Sequence, residues 1–108
     1  MIGPGTGYAP FRGFLQERQV LKASGATLGP AMLFFGCRTQ KNDFIYREEM
    51  EQALADGVIT SLDVAFSRDG PKKVYVQDKI IAKGADVYPI LKGTVGKNEG
   101  QIYVCGDA

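Results

Sequence analysis

The chain has 108 residues, of which 13 are Lys or Arg, 12 are Asp or Glu and none is His. That length supports one small domain with one core, and nothing in a net charge of +1 points to nucleic acid or an anionic membrane surface. Cys37 and Cys105 are too far apart for a CxxC pattern and there is no His to complete a set, so zinc is not expected; with no secretory leader and no apolar run of about 18 residues, a soluble chain from a reducing compartment is predicted, both thiols reduced.

The chain opens on Met1-Ile2, which reads as the end of a strand, and runs at once into Gly3-Pro4-Gly5-Thr6-Gly7 and then Tyr8-Ala9-Pro10-Phe11-Arg12. Alternating glycines let a ligand approach bare backbone without meeting a Cβ. Pro10 suits a first helical turn, so the unpaired amides and positive dipole end of a helix would face the loop. The combination points to an anion such as a pyrophosphate, with Thr6 as a hydroxyl donor, but does not say which anion. A plain strand-to-helix turn has the same composition. The run is neither a Walker A loop nor a regular GxGxxG fingerprint.

Phe11, Phe14, Leu15 and Leu21, with charged residues between them, predict an amphipathic helix that ends at Ser24-Gly25. The short apolar run Ala31 to Cys37 predicts a strand buried on both faces, as in a parallel sheet. A second helix is expected from Phe44 to Ala55, with Asp43 as its N-cap and Gly57 as its stop. Its acids, Glu48, Glu49, Glu51 and Asp56 with Asp43, read as a solvated face. Ile59 to Phe66 reads as a second full strand, Val74 to Ile81 and Asp86 to Leu91 as helical stretches, and Gly93 to Gly100 as a connection. Gln101 to Cys105 is expected as a third buried strand ending in Gly106-Asp107.

The alternation of loop, helix and strand predicts right-handed βαβ crossovers, and so a three-layer α/β/α fold around a parallel sheet. The brief first strand and the stop after the last one lead us to expect residues 1–108 to be part of a larger domain, cut at both ends. Faces uncovered in that way would favour self-association.

Ligands of open α/β sheets bind outside the carboxyl ends of the strands. Those ends carry Gly3 to Thr6, Cys37-Arg38, Ser67-Arg68 and Cys105-Gly106-Asp107, which should share one rim. The basic run after the second full strand (Arg68, Lys72, Lys73, Lys79 against Asp69 and Asp78) would elsewhere be a solvated turn around Gly70-Pro71. At a strand end it is an anion site.

Six motifs in order, Gly3-Pro4-Gly5-Thr6-Gly7, Phe35-Gly36-Cys37-Arg38, Tyr46-Arg47-Glu48-Glu49, Ala65-Phe66-Ser67-Arg68, Lys73-Val74-Tyr75-Val76-Gln77 and Tyr103 to Ala108, together resemble the NADP(H)-binding lobe of the diflavin reductase family over nearly the whole chain. The resemblance implies NADP(H) as cofactor, with its pyrophosphate on Gly5, Thr6, Gly7 and Arg38 and its 2′-phosphate on Ser67, Arg68, Lys73, Tyr75 and Gln77, Tyr75 also stacking on the adenine. It places Cys105 and Asp107 beside the nicotinamide, assisting hydride transfer to FAD. A guanidinium fork and an ammonium, with hydroxyl and amide donors, do match a dianionic phosphate.

It further implies a parent protein with FAD and FMN domains absent from this chain, passing electrons from NADPH through FAD and FMN to cytochrome P450 or another haem protein. Such a parent works on the cytoplasmic side, anchored to the endoplasmic reticulum membrane. Without flavin, the present chain should bind the dinucleotide and accept no hydride. Ferredoxin–NADP reductases share the lobe, but the Tyr-Val-Gln and Cys-Gly-Asp-Ala runs favour the diflavin branch. A rival from another class is a nucleotide-binding regulatory domain without redox activity. Tyr8 stands where the family has a small aliphatic residue, which would narrow the mouth of the loop or bring the ring to the cofactor, and the sequence leaves its role open.

Overall fold

In the computed structural model, which describes residues 1–44, 46–92 and 100–106, the chain begins in a three-residue strand, β1 (Ile2–Pro4), and passes through a 3-10 turn (Gly5–Tyr8) into α1 (Ala9–Ala23). There follow β2 (Met32–Cys37), a single helical turn α2 (Gln40–Asp43), α3 (Arg47–Ala55), β3 (Ser61–Phe66), α4 (Val76–Ala82) and α5 (Gly84–Lys92). The strands form a parallel sheet in the order β1-β2-β3. Pro4 stands opposite Gly36, and Cys37 opposite Phe66, so the three carboxyl ends finish within a residue of one another.

The central strand explains the layers. Alternate side chains of a strand point to opposite faces, and β2 is apolar on both. Leu33 and Phe35 enter one core with Phe11 and Leu15 of α1, Met50 and Ala53 of α3, and Tyr8. Met32 and Phe34 enter a second with Ala65 of β3 and Val76 of α4, against which Val87 and Ile90 of α5 pack. Leu33 and Met50 are fully buried and Phe11 is 1% exposed, each worth about 1.5–3 kcal/mol of transfer free energy. The first core is the better sealed: no residue of α5 is fully buried. The α/β class and the parallel sheet between helical layers are as the alternation predicts.

Two expectations are corrected. The second helix starts at Arg47 with Tyr46 as its N-cap, whereas Asp43 closes the separate turn α2. Aromatic packing decides this: Phe44 stacks on Phe35 and meets the edge of Phe66, with ring centroids 5.7 and 5.8 Å apart, which draws residue 44 out of the helical path. The segment 101–105 is not a buried strand. It joins the sheet by a parallel bridge from Val104 to Ile2. The Ile2 N–H donates to the Tyr103 carbonyl at 2.8 Å and the Cys105 N–H to the Ile2 carbonyl at 3.0 Å. Ile102 and Val104 stay 54% and 68% exposed, because the segment lies at an edge and, among the described residues, nothing pairs with its outer side. The Gly93–Gly100 connection lies outside the described residues except for Gly100.

Candidate functional site

The parallel register brings the strand ends to one rim. Beyond β2 and β3 the two chains stay together, the Ser67 N–H donating to the Cys37 carbonyl at 3.0 Å and the Arg68 N–H to the Arg38 carbonyl at 2.8 Å. Arg38 and Arg68 therefore leave the sheet side by side, both exposed. The acceptor of the next tie is a side chain: Asp69 Oδ2 receives the Gln40 N–H at 2.9 Å.

On the other side of β2 lies the glycine turn. Gly5 has φ +57°, a left-handed conformation that costs other residues free energy. Gly7 is there for space: a Cβ would run into the Cys105 carbonyl. Residues 105 and 106 thus close over the turn, and Gly106 lies against Pro4. Helix α1 continues directly from the 3-10 turn, with the Ala9 N–H donating to the Thr6 carbonyl and Pro10 in its first turn, so the amides left for an anion are those that open the 3-10 turn. Thr6 is exposed at the same place.

The start of α4 completes the rim. A Cβ on Gly36 would come within 3.0 Å of the Val76 side chain, so the absence of one lets the helix approach the end of β2. Tyr75 precedes the helix, its N–H held by Asp78 Oδ2 at 2.8 Å, and its ring is 44% exposed. Lys73 and Gln77 are exposed on either side. Among the described residues the ion pairs are Arg12–Glu49 and Arg47–Glu51, so Arg38, Arg68, Lys72 and Lys73 have no carboxylate partner. Guanidinium and ammonium groups of this kind, on a rim that also carries the glycine turn, suit a ligand with more than one phosphate.

Gly5, Thr6, Gly7, Arg38, Ser67, Arg68, Lys73, Tyr75, Gln77 and Cys105 are thus all on or beside one edge of the sheet. Cys105 is exposed and sits over the glycine turn; Asp107 lies outside the described residues. Tyr8 is not at the mouth of the loop. Its ring is 1% exposed, edge-on to Phe35 at 5.7 Å and tilted against Tyr46 at 5.0 Å. Burial, assisted by the Glu49 charge, pushes its phenol up to about 12. Arg12 reaches from α1 to Glu49 at 2.9 Å and lies 5.3 Å over the Tyr46 ring, bracing the turn against α3. Sequence spacing carries no trace of this brace or of the Asp69 tie, whose partners are 37 and 29 residues apart.

A cavity of about 500 Å³ opens at the opposite end of the sheet, among Phe14, Leu21, Met32, Ile90, Ile102 and Tyr103. Its lining is mostly apolar, with Glu17 and Arg18 also on its wall, and includes none of the predicted site residues.

The family model described as oxidoreductase NAD-binding domain matches residues 1–108. Among curated proteins the chain is similar to the NADPH–cytochrome P450 reductases of Musca domestica, 50% identical, Drosophila melanogaster, 49%, and Homo sapiens, 45%, each over 108 residues. Every one of these matches covers 100% of this chain and 15% of the relative, so the chain spans about a seventh of the length of the relatives it matches. Among the described residues no helix is long and apolar enough to cross a membrane.

Proposed function

The chain belongs to the oxidoreductase NAD-binding domain family, and from that premise we propose that it holds NADP(H) along the strand-end rim. The pyrophosphate lies on Gly5, Thr6 and Gly7 at the amino end of α1, with Arg38 as a side-chain donor. Ser67, Arg68, Lys73 and Gln77 take the 2′-phosphate, and Tyr75 adds its hydroxyl and stacks on the adenine. The carrying observation is the set of exposed cations, Arg38, Arg68, Lys72 and Lys73, that have no carboxylate partner among the described residues, on a rim that also carries the glycine turn before α1. A cofactor lacking the 2′-phosphate would call for an acid at the ribose hydroxyls; two arginines and two lysines favour the phosphorylated form.

When bound, the dinucleotide supplies a hydride from its nicotinamide C4 to FAD held elsewhere in a longer protein. Cys105, above the glycine turn, limits the positions open to the ring, and Asp107 contributes a carboxylate that favours positive charge there. In that protein, residues 1–108 form most of one nucleotide-binding domain, and electrons continue through FMN to cytochrome P450 or another haem protein. The flavin-binding residues are not in this chain.

Titration calorimetry tests the reading with NADP⁺, 2′,5′-ADP and NAD⁺. NADP⁺ and 2′,5′-ADP should bind well and NAD⁺ far more weakly. Arg68→Ala should weaken the two 2′-phosphorylated ligands by about 1.5–3 kcal/mol, the range for a charged hydrogen bond, and leave NAD⁺ unchanged. Equal affinity of the wild type for NADP⁺ and NAD⁺ would overturn the reading.

A further inference from the structure

We propose that Asp69 is a positioning residue for the 2′-phosphate site, holding the Arg68 turn against the start of α2; this rests on the NADP(H) reading of the rim. The ladder between β2 and β3 ends at Cys37 and Phe66. The main chain continues it for two bonds, from Ser67 to Cys37 and from Arg68 to Arg38, after which the chains diverge, one into α2 and the other into the turn before Lys72. At that point Asp69 Oδ2 accepts the N–H of Gln40, the first residue of α2, at 2.9 Å. The carboxylate satisfies a helix-terminal amide that has no partner within its own helix, and it ties together two segments 29 residues apart.

The charge of Asp69 makes this informative. A carboxylate on a rim that collects phosphate lowers the local positive potential, so as a bystander it would only weaken the ligand. It is not neutralised by its neighbours, since among the described residues it makes no ion pair with Arg38, Arg68, Lys72 or Lys73. Its oxygen is directed at a backbone amide. Repulsion and positioning therefore predict opposite signs when the side chain is removed.

The experiment titrates 2′,5′-ADP and 5′-ADP into the wild type, Asp69→Ala and Asp69→Asn. Ala removes both charge and acceptor; Asn removes the charge and keeps an oxygen that caps as well as Asp. If Asp69 positions Arg68, Asp69→Ala weakens 2′,5′-ADP by about 3- to 10-fold, as for loss of one hydrogen bond, and moves 5′-ADP, which lacks the 2′-phosphate, less than about twofold. Asp69→Asn then binds 2′,5′-ADP at least as tightly as the wild type. An Ala variant that binds 2′,5′-ADP as tightly as the wild type or more tightly overturns the proposal. So does an Ala variant that loses both nucleotides in parallel, or an Asn variant as weak as Ala. A wild type that binds NADP⁺ no more tightly than NAD⁺ removes the underlying site reading, and the role of Asp69 with it.

Discussion

Replacing Tyr8 by Phe should stabilise the protein. The ring is 1% exposed and packs on Phe35 and Tyr46 at 5.7 and 5.0 Å, contacts that Phe retains. The hydroxyl oxygen is buried and has no hydrogen-bond partner among the described residues. A buried tyrosine with a satisfied hydroxyl loses stability on this change, whereas an unsatisfied one returns its desolvation penalty, about 1–3 kcal/mol. For a domain of this size a gain of 1 kcal/mol raises Tm by about 4 °C or more, which thermal unfolding followed by circular dichroism resolves.

The pH dependence gives an independent arm. Burial raises the phenol from its ordinary value of about 10 to about 12, so the unfolded chain loses that proton first. The contribution of Tyr8 is complete below pH 10 and is lost as pH climbs towards 12. Tyr8→Phe has no proton to lose, and its advantage over the wild type should widen across that window. NADP⁺ affinity should stay within about twofold, since the ring faces the core; twofold is well below one hydrogen bond. A variant less stable than the wild type at neutral pH, or one that loses NADP⁺ binding, would refute this account of Tyr8.

Two further outcomes follow from close contacts and open edges. Gly7→Ala drives a Cβ into the Cys105 carbonyl and should cost about 1–3 kcal/mol, the usual range for overpacking; an unchanged urea midpoint would mean that residues 105 and 106 do not close over the turn. The edge at Ile102 and Val104, 54% and 68% exposed, carries no charged residue between Gln101 and Cys105 and should promote self-association. Val104→Lys should shift sedimentation towards the monomer, and a wild type that is already a uniform monomer at high concentration contradicts the expectation.

Local chemistry was enough for several elements and for the location of the candidate site. The helix from Phe11 to Ser24, the buried run through Phe35 and the glycine turn each declare themselves through spacing and residue type within a dozen positions. Alternation of helix and strand then implies a parallel sheet, and a parallel sheet puts every carboxyl end on one side. That is why Arg38, Ser67, Arg68 and Cys105 fall into one group on the sequence alone.

What local pattern could not convey is which neighbours arrive from far along the chain. An apolar run reads alike at the centre of a sheet and at its edge, so only the folded arrangement shows Leu33 sealed and Val104 open. The start of α3 was set by the rings packed around Phe44, which outweighed the cap signal of Asp43. Tyr8 became a core residue because Phe35 and Tyr46 meet there, and Asp69 acquired a partner only when the turns after β2 and β3 came together. Periodicity reports the environment that one element needs; contacts between residues about 30 apart depend on how several elements are satisfied at once, and that is settled only in three dimensions.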